Sequence, residues 1–120
     1  MASNESHYLA SVDYYKIESD EWFTAPVMNE ARESLSFCAQ GEMLYAMFGS
    51  NGSCISTTMN KIEMLNVQKF LNGEYATWSG FSLASGEIHP RTNASVTPIS
   101  SNEIVILGGF SFIDESNYGA

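Results

Sequence analysis

The chain is short of positive charge. Five basic residues, Lys16, Arg32, Lys61, Lys69 and Arg91, stand against fourteen acidic ones, for a formal charge of −9, and no two of the five are neighbours in sequence. A phosphate backbone is held by clustered Lys and Arg that release condensed counterions, so no nucleic-acid partner is predicted. The acidity reads instead as a solvated surface. Histidine is as scarce: His7 and His89 cannot be argued into one metal site, and metal and cofactor are both predicted to be none. The two cysteines, Cys38 and Cys54, fit neither a zinc spacing nor a CxxC redox pair. Cys38 lies in an apolar stretch and reads as a buried, reduced thiol. No run approaches 18 apolar residues, so no membrane span is predicted. The opening MASNESHYLASVDYYK lacks a basic region followed by an apolar run, which predicts no secretory signal and a cytoplasmic location. No G-x-S-x-G, HExxH or P-loop motif is present. The acidic pairs Asp20-Glu21 and Asp114-Glu115 are adjacent in sequence, and adjacent residues on a strand point to opposite faces. Nothing here predicts an enzyme.

What is present argues for a folded domain. Apolar residues make up 44% and aromatics 12% of a 120-residue chain, which suits one modest core. Two stretches share a grammar. Arg91 to Gly109 reads RTNASVTPISSNEIVILGG, and Arg32 to Gly49 reads RESLSFCAQGEMLYAMFG. The arginines are 59 residues apart and the final glycines 60 apart. Such a period points to an array of β-units.

In chain order, residues 1–11 form a leader. Val12–Ile17 is a short strand rich in β-formers, Ser19-Asp20 a turn, and Glu21–Ala25 a second strand, ended by Pro26. Glu33–Ala39 alternates, with Leu35, Phe37 and Ala39 on one face. Gln40-Gly41-Glu42 is a hairpin turn. Met43–Phe48 is almost wholly apolar, as for a strand covered on both faces. Residues 50–60 are a polar loop. Lys61–Leu71 fits both helical and strand periodicity; the repeat context predicts a strand over 62–67. Glu74–Leu83 is predicted as a strand interrupted at Gly80, and residues 84–90 as a loop before Arg91 restarts the cycle.

These features resemble the kelch repeat, the four-stranded blade of one β-propeller class. An Arg heads a strand at Arg32 and Arg91, an apolar strand ends in Gly108-Gly109, and a Trp closes the fourth strand at Trp22 and Trp78, with Tyr14 or Tyr15 a few residues before the first. The chain departs from the family at Phe48-Gly49, where Gly-Gly is usual, and at Leu65, where an aromatic is usual. The resemblance implies an all-β fold, an incomplete kelch-type propeller with four-stranded antiparallel blades. Residues 12–26 would be the last two strands of one blade, 31–83 a complete blade, and 91–120 the first two strands of another plus a loop. A propeller takes four to eight blades. The expectation is therefore a piece of a larger propeller; the alternatives are self-assembly through open blade edges and a truncated product.

The function implied is non-catalytic binding of a protein partner through inter-strand loops. The alternative is a segment of a galactose-oxidase-like propeller enzyme whose catalytic residues lie outside this chain. The resemblance places the loops 50–60 and 110–118 on the same face as the loops 27–31 and 84–90. That gives Arg32, Arg91, Ser50, Asn51, Phe110 and Asp114 as candidate binding residues. An Arg at a pocket mouth suits a carboxylate or phosphate; pairing with a local acid, Glu30, Glu33 or Glu87, is the competing role.

Overall fold

The structure, a computed structural model, describes residues 8–51, 61–82 and 91–111. Among these residues it is all-β apart from one short helix, and every sheet is antiparallel. Strands β1 (Val12–Lys16) and β2 (Glu21–Ala25) form a hairpin. Strands β3 (Ser36–Gln40), β4 (Met43–Met47), β5 (Lys61–Asn66) and β6 (Ser79–Ser82) form a four-stranded sheet in sequence order. Helix α1 (Val67–Leu71) links β5 to β6. Strands β7 (Ser95–Ser100) and β8 (Glu103–Leu107) form a second hairpin.

Turn chemistry sets the registers. Gln40 pairs with Met43 and Ser100 with Glu103, so Gly41-Glu42 and Ser101-Asn102 are two-residue connections. The ambiguity over residues 61–71 resolves as both readings in turn. β5 runs to Asn66, and the Asn66 side chain then caps a single helical turn by accepting from the Lys69 N–H at 3.0 Å. The strand predicted over 74–83 is shorter: β6 covers only residues 79–82, and Trp78 stands just before it.

The repeat seen in the sequence has a matching geometry. Ser34 and Asn93, 59 residues apart, both take a left-handed φ, 54° and 61°. Phe48 (62°) and Gly108 (65°) do the same, followed by Gly49 (90°) and Gly109 (98°). Isolated bridges join Glu33 to Ser50 and Thr92 to Phe110. The register shift between Pro98 and Ser100 leaves Ile99 as one extra residue in β7. That bulge is why the offset grows from 59 to 60 within the unit.

Cores form between sheets. Met28, Ala46, Leu65 and Trp78 cluster with Val12, Leu35 and Leu44 on the side of β1. Met47, Phe48 and Ile62 cluster with Val96 and Ile106 on the side of the last hairpin. β4 is thus covered on both faces, with Ala46 buried on one and Met47 on the other, which accounts for its unbroken apolar sequence. Backbone bonds stitch the sheets together: Asn93 N–H to Ser34 O at 3.0 Å, Gly49 N–H to Arg91 O at 3.2 Å, and Met28 N–H to Ala10 O at 2.9 Å. The Ser36 hydroxyl adds a bond to Ala94 O at 2.6 Å.

Candidate binding face

Antiparallel pairing brings the start of β3, the end of β4, the start of β5 and the end of β6 to one end of the large sheet. The segment 26–32 crosses this end. Its anchor is Glu63, an acid in the middle of an apolar strand. The Glu63 carboxylate accepts from Asn29 N–H at 2.6 Å, from Glu30 N–H at 3.0 Å and from the Arg32 guanidinium at 2.8 Å. The Glu63 and Arg32 side chains are 2% and 0% exposed respectively. Arg32 also donates to Phe48 O at 2.9 Å and Lys61 O at 3.0 Å. These charge-assisted bonds offset the desolvation of both ions. The Trp78 indole N–H fastens the same segment by donating to Pro26 O at 2.7 Å.

Arg32 lines a cavity beside Val12, Asp13, Met28 and Trp78, with its guanidinium engaged by Glu63. Its guanidinium is enclosed and paired with a buried acid, with Nε left without a hydrogen-bond partner, and among the described residues that acid is Glu63, not Glu30 or Glu33. The side chain acts as scaffold, tying the end of β4 to the start of β5. Arg91 repeats one of these bonds, donating to Gly108 O at 2.9 Å as Arg32 does to Phe48 O.

Ser50 and Phe110 occupy equivalent positions just past the glycines, each bridged to the residue after its Arg. Asn51 follows Ser50 at the same end. Phe110 is half exposed. Asp114, His7, His89 and Cys54 lie outside the described residues, as do most of the loops 50–60, 84–90 and 110–118. Arg91, Ser50, Asn51 and Phe110 are thus brought to one end, and Arg32 lies beneath it.

The same end carries an open cavity of about 260 Å³, lined by Asn29, Glu30, Lys61, Ile62, Phe81 and Ser82 among others. Over it, the partly exposed Lys61 ammonium pairs with the Glu30 carboxylate at 3.1 Å. Neither Glu63 nor this pair stood out in the sequence. The signal for Glu63 was there: a lone acid inside KIEMLN, where a strand buried on both faces should be apolar. Among the described residues no group of His, Cys, Asp and Glu is gathered as a metal site would need, and no helix is long and apolar enough to cross a membrane. No protein-family model matches the chain, and no curated protein is significantly similar to it.

Proposed function

We propose that the chain is a segment of a kelch-like β-propeller that serves as a non-catalytic protein-interaction module. The observation that supports it is the recurrence of one unit in three dimensions. An Arg-headed strand, a two-residue turn, an apolar strand and a left-handed pair of residues return after 59–60 positions with φ values within 8° at the left-handed residues and the same Arg-to-carbonyl bond. Consecutive units stack face to face, as blades do.

The partner docks on the end where the segment 26–32 crosses. Glu63 and Arg32 make that segment rigid, so its exposed groups bind with little ordering cost. Lys61, Glu30, Phe81 and the rim residues Ser50, Asn51, Arg91 and Phe110 supply polar and aromatic contacts for a protein segment. A peptide-display selection against the folded protein tests this. Selected binders are expected to weaken roughly ten-fold when Lys61→Ala or Phe110→Ala is introduced, each removing about one contact's worth of binding. Binders that tolerate alanine at all of Lys61, Ser50, Arg91 and Phe110 would place recognition elsewhere and sink the proposal.

A further inference from the structure

The two-stranded sheet β1–β2 is laid out as the second half of the four-stranded sheet. β5 pairs Glu63 with Gly80, and β1 pairs Asp13 with Thr24. Trp78 stands two residues before Gly80, and Trp22 two residues before Thr24. On β5, Ile62 packs toward the sheet that follows in the chain. On β1, Val12 and Tyr14 do the same, Val12 against the Leu65–Trp78 core and Tyr14 against Phe70. Both markers give one register: Val12 answers to Ile62, Asp13 to Glu63, Tyr15 to Leu65 and Trp22 to Trp78.

The burial of these equivalents differs sharply. Leu65 and Trp78 are 1% and 6% exposed, whereas Tyr15 and Trp22 are 41% and 72% exposed. The last hairpin has the complementary state. β7–β8 is laid out as β3–β4, yet Leu107 is 60% exposed where Met47 is 5%. Among the described residues β8 carries one ladder, to β7, and β1 carries one, to β2. A third open surface lies beside β1, an apolar cavity of about 380 Å³ lined by Val12, Leu35, Phe37, Leu44, Ala46 and Trp78 among others.

We infer that two copies of this chain dock head to tail, β8 of one against β1 of the next, to complete a sheet in the order β7-β8-β1-β2. The inference rests on the repeat underlying the proposed function, not on its partner. The existing sheet dictates the contacts. Leu107 pairs opposite Val12, Ile106 opposite Asp13 and Ile104 opposite Tyr15, as Met47, Ala46 and Leu44 pair with Ile62, Glu63 and Leu65. Asp13 comes to Arg91 of the other copy, as Glu63 comes to Arg32. Ser95, the equivalent of Ser36, donates to the other copy's Leu35 O. Leu107 covers Phe37, as Met47 covers Val96, and so closes the apolar cavity. Trp22 packs on the other copy's large sheet and donates to Ser82 O, as Trp78 donates to Pro26 O. An edge strand left uncovered is prone to unregulated pairing; this docking satisfies both edges with a fixed register. The contact is heterologous, so it gives a ring where the rotation between copies closes and an open filament where it does not. Each copy brings the equivalent of two four-stranded sheets, and two to four copies give the four to eight blades that propellers take.

Light scattering on the intact protein tests this. The expected result is one species at a fixed multiple of 13.2 kDa. Trp22→Ser, which alters a side chain exposed in the single chain, is expected to leave the far-ultraviolet dichroism unchanged and weaken association roughly 30-fold or more. In a Cys38→Ala, Cys54→Ser background, Val12→Cys with Leu107→Cys is expected to form an intermolecular disulfide on mild oxidation. Lys16→Cys with Leu107→Cys, four residues out of register, is expected to form none. A 13.2 kDa monomer at tens of micromolar, an assembly indifferent to Trp22→Ser, or a disulfide in the out-of-register pair overturns the inference. A monomer that still binds display-selected peptides through Lys61 leaves the proposed function standing. A ring that binds none does the reverse.

Discussion

At the scale of single residues, Glu63 is the side chain on which most depends. It neutralises a guanidinium that is wholly enclosed, and it also occupies two backbone N–H groups of the crossing segment. Removing one partner of a buried ion pair costs about 3–5 kcal/mol, because the other charge stays buried. Glu63→Ala is therefore expected to consume much of the stability of a domain this size, with Glu63→Gln milder because an amide oxygen still accepts from an N–H; urea titration reads both. The double change Arg32→Met, Glu63→Met is not expected to recover the wild-type midpoint, since it leaves the Asn29 and Glu30 N–H groups without their acceptor. Cys38 gives a pH test. Burial pushes its thiol above the ordinary range, so the folded state holds the proton where the unfolded chain has lost it. That contribution is complete below the unfolded thiol's pKa and is lost as pH rises through the folded one. Stability is expected to fall on the alkaline side more steeply in the wild type than in Cys38→Ala. Parallel curves would mean the thiol is not buried. Cys38 was legible in sequence because a thiol in an apolar strand has few other readings. Arg32 was half legible: its repetition marked it, but its partner lies 31 residues away on another strand, and no local pattern encodes that distance.

At the scale of elements, the strand pairs were legible because their turns are chemically marked and their faces alternate. The connection between β5 and β6 was not. Lys61–Leu71 satisfies both periodicities, and it uses both, changing at Asn66 because that side chain can cap a turn that a strand cannot continue. The glycine pair closing the second unit, Gly108-Gly109, separates two causes of a glycine. A Cβ at Gly108 meets nothing within 4 Å, so only its left-handed φ resists substitution; at Gly109 a Cβ meets the Thr92 carbonyl at 2.7 Å as well. Gly108→Ala is expected to cost about 1–2 kcal/mol. Gly109→Ala should cost distinctly more, because rigid backbone must move, as should Gly49→Ala, whose Cβ meets Glu33 O at the same 2.7 Å. Chemical denaturation of the three variants gives the order, and equal losses would refute the close approach. Phe48 stands where the second unit has Gly108. It accepts the left-handed torsion that Gly108 takes freely because its ring is fully buried, and burying a phenyl group outweighs about 1–2 kcal/mol of backbone cost.

At the scale of the whole molecule, the sheets follow one another as a stack, and the links between neighbours are few and specific. The second and third sheets share the Ser36 hydroxyl bond to Ala94 O, the Gly49–Arg91 and Asn93–Ser34 backbone bonds, and the Met47–Val96–Ile106 core. None of these reaches β1–β2. In a stack, stability is a sum of unit and nearest-neighbour terms, so a perturbation should stay with the neighbours it touches. The 59–60 residue period pointed to an array of β-units. The links were not legible, because each joins residues far apart in the chain, 58 positions for Ser36 and Ala94, through a backbone carbonyl that carries no sequence signature. Ser36→Ala removes one buried donor and leaves Ala94 O unpaired, at about 1–2 kcal/mol. Under conditions where exchange reports local opening, amides of β7 and β8 are expected to exchange several-fold faster in Ser36→Ala, while those of β1 and β2 keep their wild-type rates. A uniform acceleration from β1 through β8 would mean that the sheets open together, and a single cooperative core would replace the stack. Unchanged rates in β7 and β8 would instead mean that the apolar contacts of Met47 alone hold the third sheet in place.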